Sequence, residues 1–227
     1  MGGKRTRTTN REAMLERIVE AATAVVESEG YERLTMRRVA ERCGVGVMTL
    51  YGYVRTREEL VAAMIDRYLV DIPVPELEHL SWQSQVAEVF RAVNRAFEAH
   101  PVLSEITGHQ ALDSVAFFGG AEVALRALRR AGLSDADTVG ALDALTSFVV
   151  GFSQRKAQRR LRSAQSAERL ARLRSLPSGE FRTVVELSGQ LVTWEAERHF
   201  EHGLQLVISG IEQCVASVAA EQDQKTS

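Results

Sequence analysis

Apolar residues recur at Leu15, Ile18, Val19, Ala22, Val25 and Val26, one face of a 3.6-residue repeat. They follow Thr9-Asn10-Arg11-Glu12, a capping-box sequence in which the Thr9 hydroxyl takes a free amide and Glu12 reaches back. This pattern predicts a first helix, stopped at Gly30 by a left-handed cap. Thr35 is a good N-cap for a second, shorter helix through Met36, Val39 and Ala40, which ends at Cys43-Gly44. Residues 47–53 predict a third helix. Thr56-Arg57-Glu58-Glu59 is another capping box and opens a fourth, with Leu60, Val61, Met64, Ile65 and Tyr68 on its apolar side. Pro73 and Pro75 end it.

Longer helices are expected beyond the prolines. Residues 81–99 carry Val86, Val89, Phe90, Val93 and Phe97 on one stripe, and a short helix follows Pro101. Gly108 and the Gly119-Gly120 pair punctuate the chain before helices at 121–131 and 135–160, which Gly132 separates and Ser134 caps. The last helix, about 194–220, shows Phe200, Leu204, Val207, Ile208, Ile211, Val215 and Val218. No strand-like alternation of useful length and no internal repeat occurs, so the fold class is all-α. Residues 1–10 read as a basic flexible arm and 221–227 as a frayed polar tail.

Composition narrows this picture. A hydrophobic fraction of 45% with 26% charged residues excludes wholesale disorder. No apolar stretch approaches the roughly 18–20 residues of a membrane span, and the basic N-terminus lacks the apolar core of a secretory signal, so a cytoplasmic protein without membrane contact is expected. Cys43 and Cys214 make neither a disulfide framework nor a zinc pair. The net charge of -2 hides an asymmetry. Residues 1–57 hold 11 Lys/Arg against 7 Asp/Glu, net +4, whereas the remainder holds 17 against 23, net -6. A basic head on an acidic body is the distribution expected when one end meets phosphates.

The second and third helices form a helix-turn-helix candidate. Gly44 supplies the positive backbone angle of the turn, while Val39, Ala40, Val45 and Leu50 pack the two helices on each other and on the first. The open side of the third helix can then enter a major groove, which is wide enough to admit it. Thr49 offers a hydroxyl and a methyl, and Tyr51 and Tyr53 end in hydroxyls suited to phosphate oxygens. Arg37, Arg38, Arg55 and Arg57 flank the groove as phosphate partners. A basic helical hairpin on the surface of some helical enzyme has the same residue types. Cys43 and Tyr31 read as packing residues, and Lys4, Arg5 and Arg7 as either a minor-groove arm or a solvated tail.

The ordered run from Leu34 to Val45, followed by residues 49–60, resembles the DNA-binding domain of the tetracycline-repressor (TetR) family. The likeness covers about residues 11–71, with the recognition unit at about 34–53. It implies that Thr35 caps its helix near a phosphate, that Thr49 meets a base, that Tyr51 and Tyr53 contact phosphates, and that Arg57 is a phosphate clamp. Two positions depart from the pattern. Gly52 stands where many relatives carry a larger base-reading residue, and Gly46 replaces a polar one. Two glycines in so short a helix cost roughly 1 kcal/mol each, so this helix is expected to order fully only on DNA. They leave Val47, Met48 and Thr49 as most of the reading surface, with DNA shape contributing to specificity.

For residues 76–220 the resemblance implies a helical domain for ligand binding and dimerisation. Residues 135–160, with Leu142, Leu145, Val149 and Phe152 beside Ala141 and Ala144, and residues 194–220 suit a four-helix dimer interface. The likeness here runs through Trp82, the Phe97-His100-Pro101 segment and Gly132-Leu133-Ser134. Candidate pocket residues are Phe90, Asn94, Phe97, His109, Gln110, Phe117, Phe118, Phe148, Phe152 and Trp194, suited to a hydrophobic or aromatic effector. No cofactor and no metal are expected: Ile106 or Thr107 stands where tetracycline-sensing relatives place a metal-holding histidine, and His199 and His202 read as solvated. The basic run at 155–174 is either a second nucleic-acid surface or a mobile helix end and linker. The expected function is a repressor that leaves a palindromic operator when a small effector binds. The alternative is an effector-independent dimeric DNA-binding protein. An enzyme lacks support, for there is no nucleophile elbow, phosphate loop or coupled acid-base pair.

Overall fold

The computed structural model describes residues 3–69, 79–109, 114–161, 166–193 and 195–226. Among them every regular element is helical: α1 Gly3–Glu29, a 3-10 turn Tyr31–Arg33, α2 Met36–Cys43, α3 Val47–Tyr51, α4 Arg57–Leu69, α5 Trp82–Ala99, α6 Val102–Thr107, α7 Val115–Arg130, α8 Asp135–Leu161, α9 Ser166–Arg174, α10 Ser178–Glu186, α11 Ser188–Val192 and α12 Ala196–Thr226. The chain forms two compact units, residues 1–142 and 143–227.

In the first unit, the stripe predicted for α1 is the buried one: Ile18, Val19, Ala22, Val25 and Val26 are all at most 3% exposed. α1 packs on α2 and α4, and α2 on α3; Val39 and Ala40 of α2, Leu50 of α3, and Leu60, Val61, Met64 and Ile65 of α4 are all nearly water-free. A fully buried aliphatic side chain contributes about 1.5–3 kcal/mol, so this core fixes where α2 and α3 sit. A second core joins α5, α6 and α7 through Val86, Phe90, Leu103, Ile106, Ala124 and Leu128. In the second unit the apolar stripes of α8 and α12 supply Leu145, Val149, Phe152, Phe200, Leu204, Ile208 and Ile211. The Phe148, Phe152 and Phe200 rings cluster at centroid separations of 5.3–5.9 Å. The Cε2–Cζ edge of the Phe148 ring abuts Gly203, where an added Cβ would sit 2.5 Å from both carbons.

Several boundaries differ from the sequence expectation. Helix α1 starts at Gly3, so the Thr9 box is not its beginning and residues 3–10 are helical instead of a flexible arm. No proline lies in that stretch, so nothing breaks the amide ladder. Gly30 has φ 90° but ψ 157°, a positive-φ extended geometry and not a left-handed helical cap. Gly119 and Gly120 do not interrupt the chain; they lie within α7. That helix starts early because Ser114 accepts the Phe117 amide at 3.2 Å and the Asp66 carboxylate accepts the Ala116 amide at 2.8 Å. Of the basic run at 155–174, residues 155–161 continue α8 and 166–174 form α9, which has no buried residue; α10 and α11 follow it. The polar tail continues α12 through Thr226, where fraying was expected.

Candidate nucleic-acid interface

Local sequence builds the α2–turn–α3 unit directly. Thr35, in extended backbone, caps α2 by accepting the Arg38 amide at 3.3 Å. Val39, Ala40 and Cys43 face inward. Gly44 then adopts φ 71° and ψ 32°, and the Val45 amide returns to the Ala40 carbonyl at 3.0 Å. A Cβ on Gly44 would meet nothing within 4 Å, so conformation and not crowding requires glycine there. Helix α3 starts after Gly46 and stops before Gly52. Both glycines therefore flank the helix, and the expected interior glycine penalty does not arise.

The outward side of α3 carries Met48, which is 82% exposed, with Thr49, Gly52 and Tyr51 also exposed. Val47 and Tyr53 are half-buried, and Leu50 is the anchor beneath. Two arginines of α1 brace this unit from behind. Arg11 donates to the Gly52 carbonyl at 3.2 Å and lies 5.2 Å from the centre of the Tyr53 ring. Arg17 donates to the Cys43 carbonyl at 3.3 Å. Sequence reasoning missed both, because contacts across 41 and 26 residues leave no local periodic signal. Thr56 caps α4 by accepting the Glu59 amide at 3.0 Å, while the Glu59 carboxylate takes the Arg55 amide at 2.6 Å. The Glu58 carboxyl is held below its ordinary range by its own backbone amide and the Thr56 hydroxyl.

The flanking arginines divide. Arg37 pairs with Glu41 at 2.9 Å and Arg38 with Glu29 at 2.5 Å; both pairs remain exposed enough to be traded for phosphate oxygens. Arg55 is exposed. Arg57 corrects the expectation of a phosphate clamp. Its guanidinium folds inward, donating to the Leu34 carbonyl at 2.9 Å and the Tyr31 carbonyl at 3.0 Å, with its centre 4.2 Å from the Tyr31 ring. The reason is geometric: α4 begins beside the 3-10 turn and its C-cap Leu34, so their carbonyls and the Tyr31 ring are the acceptors nearest the guanidinium.

Tyr31 is also the seam between this unit and the helices after it. Its amide donates to Glu105 of α6 at 2.6 Å, and its ring stacks on His109 at 4.7 Å and 10°. His109 also lies 3.3 Å from Glu32, so this pocket candidate is engaged at the seam. Burial raises the Tyr31 phenol above its ordinary pKa, opposed by Arg57. On α4, Tyr68 shares a 2.7 Å hydrogen bond with Thr23 and meets the His100 ring at 4.5 Å.

The remaining pocket candidates are distributed over both units. Phe90, Asn94 and Phe97 are buried on α5. Asn94 donates to Glu98 at 3.1 Å, a carboxylate that fixes the amide orientation, while its Oδ1 is buried without a hydrogen-bond partner. Phe117 and Phe118 open α7, Phe118 being 54% exposed. Phe148 and Phe152 are packed in the aromatic cluster of the second unit. Gln110 and Trp194 lie outside the described residues. His199 bonds the Glu195 carbonyl at 2.8 Å. Among the described residues no helix is long and apolar enough to cross a membrane.

Known proteins share this arrangement. Residues 18–64 match the family described as bacterial regulatory proteins, tetR family, and residues 74–215 match the tetracyclin repressor-like C-terminal domain. The HTH-type transcriptional repressor DrrR1 of Streptomyces coeruleorubidus is 31% identical over 212 residues, covering 89% of this chain and 78% of its own. Apo ActR from Streptomyces coelicolor superposes with a TM-score of 0.76 at 30% identity, covering 89% of this chain and 96% of ActR. ActR in complex with actinorhodin gives 0.74 at 31%, covering 87% and 94%. With both domains matched in order and a helix-turn-helix reader in place, the chain belongs to the TetR family of DNA-binding transcriptional regulators.

Proposed function

We propose that this chain is a cytoplasmic repressor that grips a palindromic operator as a homodimer and leaves it when a small hydrophobic or aromatic effector enters its body. The observation that carries the reading half is the α2–turn–α3 unit, with Arg17 on the Cys43 carbonyl, Arg11 on the Gly52 carbonyl, and Met48, Thr49 and Tyr51 facing out. Thr35, Arg37, Arg38, Val47, Met48, Thr49, Tyr51, Gly52 and Tyr53 form the DNA face, and Arg57 supports it from inside. One such short helix covers few base pairs, so two copies are needed for a tight grip. The functional division falls as a basic N-terminal segment at 1–10 that leads into α1, a reader at 11–71, a body at 76–220 and a polar tail at 221–227.

The effector half draws support from ActR, which has been solved with actinorhodin and with (S)-DNPA. In this chain the pocket is built on α5, around Phe90, Asn94 and Phe97. Occupancy there biases α6 and α7, which are pinned to the reader at Tyr31 and Asp66. A coupling of about 1–3 kcal/mol changes operator affinity by roughly 5–150-fold. The test selects bound duplexes from a random pool and titrates actinorhodin and (S)-DNPA into the complex. A palindromic motif whose affinity falls with either compound is expected. A motif that no compound weakens favours a body that only dimerises.

A further inference from the structure

The reading helix carries no group able to make the paired hydrogen bonds by which arginine, lysine, asparagine or glutamine identify guanine or adenine. Its exposed residues are Met48, Thr49, Tyr51 and the flanking Gly46 and Gly52. Met48 is the most open large apolar residue among those described, at 82% exposure. Neither glycine needs a positive φ: Gly46 has φ -67° and Gly52 has φ -71°. A Cβ on Gly46 would reach only ordinary contact with Thr49 at 3.7 Å. A Cβ on Gly52 would crowd the Thr49 carbonyl at 3.2 Å, so Gly46 is the position that provides clearance for a base edge beside an apolar tip. A flexible thioether and the Thr49 methyl are matched by one major-groove feature, the C5-methyl of thymine.

Resting on the DNA-reading assignment above, we propose that Met48 and Thr49 set operator specificity by apolar contact with thymine methyl groups. Burying one methyl-sized group is worth about fourfold in affinity, and about fifteenfold for the symmetric pair in a palindrome. The experiment takes the duplex recovered by selection and replaces each thymine in turn with deoxyuridine, which removes the methyl and leaves every hydrogen-bonding edge intact. Dissociation constants of the full-length protein are measured by fluorescence anisotropy at fixed salt. One or two positions per half-site are expected to weaken about fourfold, and 5-methylcytosine at the cytosine variant of such a site is expected to restore part of the affinity. Met48→Ala, and Thr49→Ser, which keeps the hydroxyl, should each abolish the methyl effect at one position. If every deoxyuridine substitution stays within 1.5-fold while tight, salt-sensitive, sequence-specific binding persists, the methyl-reading proposal is overturned and the DNA-reading assignment survives. If no duplex is bound even at low salt, both fall.

Discussion

Replacing Arg57 with alanine separates a phosphate contact from an internal brace. The side chain makes two charge-assisted hydrogen bonds to main-chain carbonyls and one cation–π contact with Tyr31. Hydrogen bonds to charged groups contribute about 1.5–3 kcal/mol each when well shielded, and a partly exposed cation–π contact about 0.5–1 kcal/mol. Arg57 is half-buried, so the lower ends apply and R57A should cost about 2–4 kcal/mol. Arg57→Lys keeps the charge but cannot bridge two carbonyls with a planar fork, and should lose about half as much. Urea unfolding followed by circular dichroism measures the loss. The discriminating readout is the slope of log K against log salt for DNA binding, taken well below each variant's melting temperature. A direct phosphate partner contributes about 0.9 to that slope per copy. The inward geometry predicts an unchanged slope; normal stability with a slope reduced by one to two would refute it.

Gly44→Ala should destabilise by about 1–2 kcal/mol, because alanine is strained at φ 71° even in open space; equal stability in urea would contradict the turn geometry. Thr35→Ala should cost about 1 kcal/mol through the lost cap, with Thr35→Ser recovering most of it. Gly203→Leu must push the Phe148 ring aside and should cost about 1–3 kcal/mol, partly relieved in the Phe148→Ala background; additive effects would mean the two do not touch. The folded Tyr31 phenol ionises above its ordinary range, so its contribution is complete below about pH 10 and is lost as pH rises through the folded value. Tyr31→Phe should therefore flatten the alkaline limb of a stability profile, and an unaltered limb would exclude that linkage.

How much was legible follows from the range of the interactions. The buried stripe of α1, the Thr35 and Thr56 caps and the Gly44 turn are local patterns of a few residues, and each is realised where the sequence places it. Helix extents were less legible. α7 absorbs Gly119 and Gly120 because Asp66, 50 residues earlier, holds its first turn. The three short helices of 166–192 carry almost no buried apolar residue, so no periodic stripe announces them.

Charge and the family resemblance assigned Arg57 to phosphate, because a sequence lists donors without saying which acceptors lie nearest. Packing decides that: α4 begins beside the 3-10 turn, which brings the Tyr31 and Leu34 carbonyls and the Tyr31 ring within reach of the guanidinium. The same holds for His109, drawn to Tyr31 by stacking, and for Phe148, seated on Gly203. Periodicity, caps and turn glycines thus determined the helical class and the reader, since these act within one or two turns of chain. Which side chains face the groove, the seam or the core was decided only by contacts between residues far apart in sequence, whose partners no local pattern encodes.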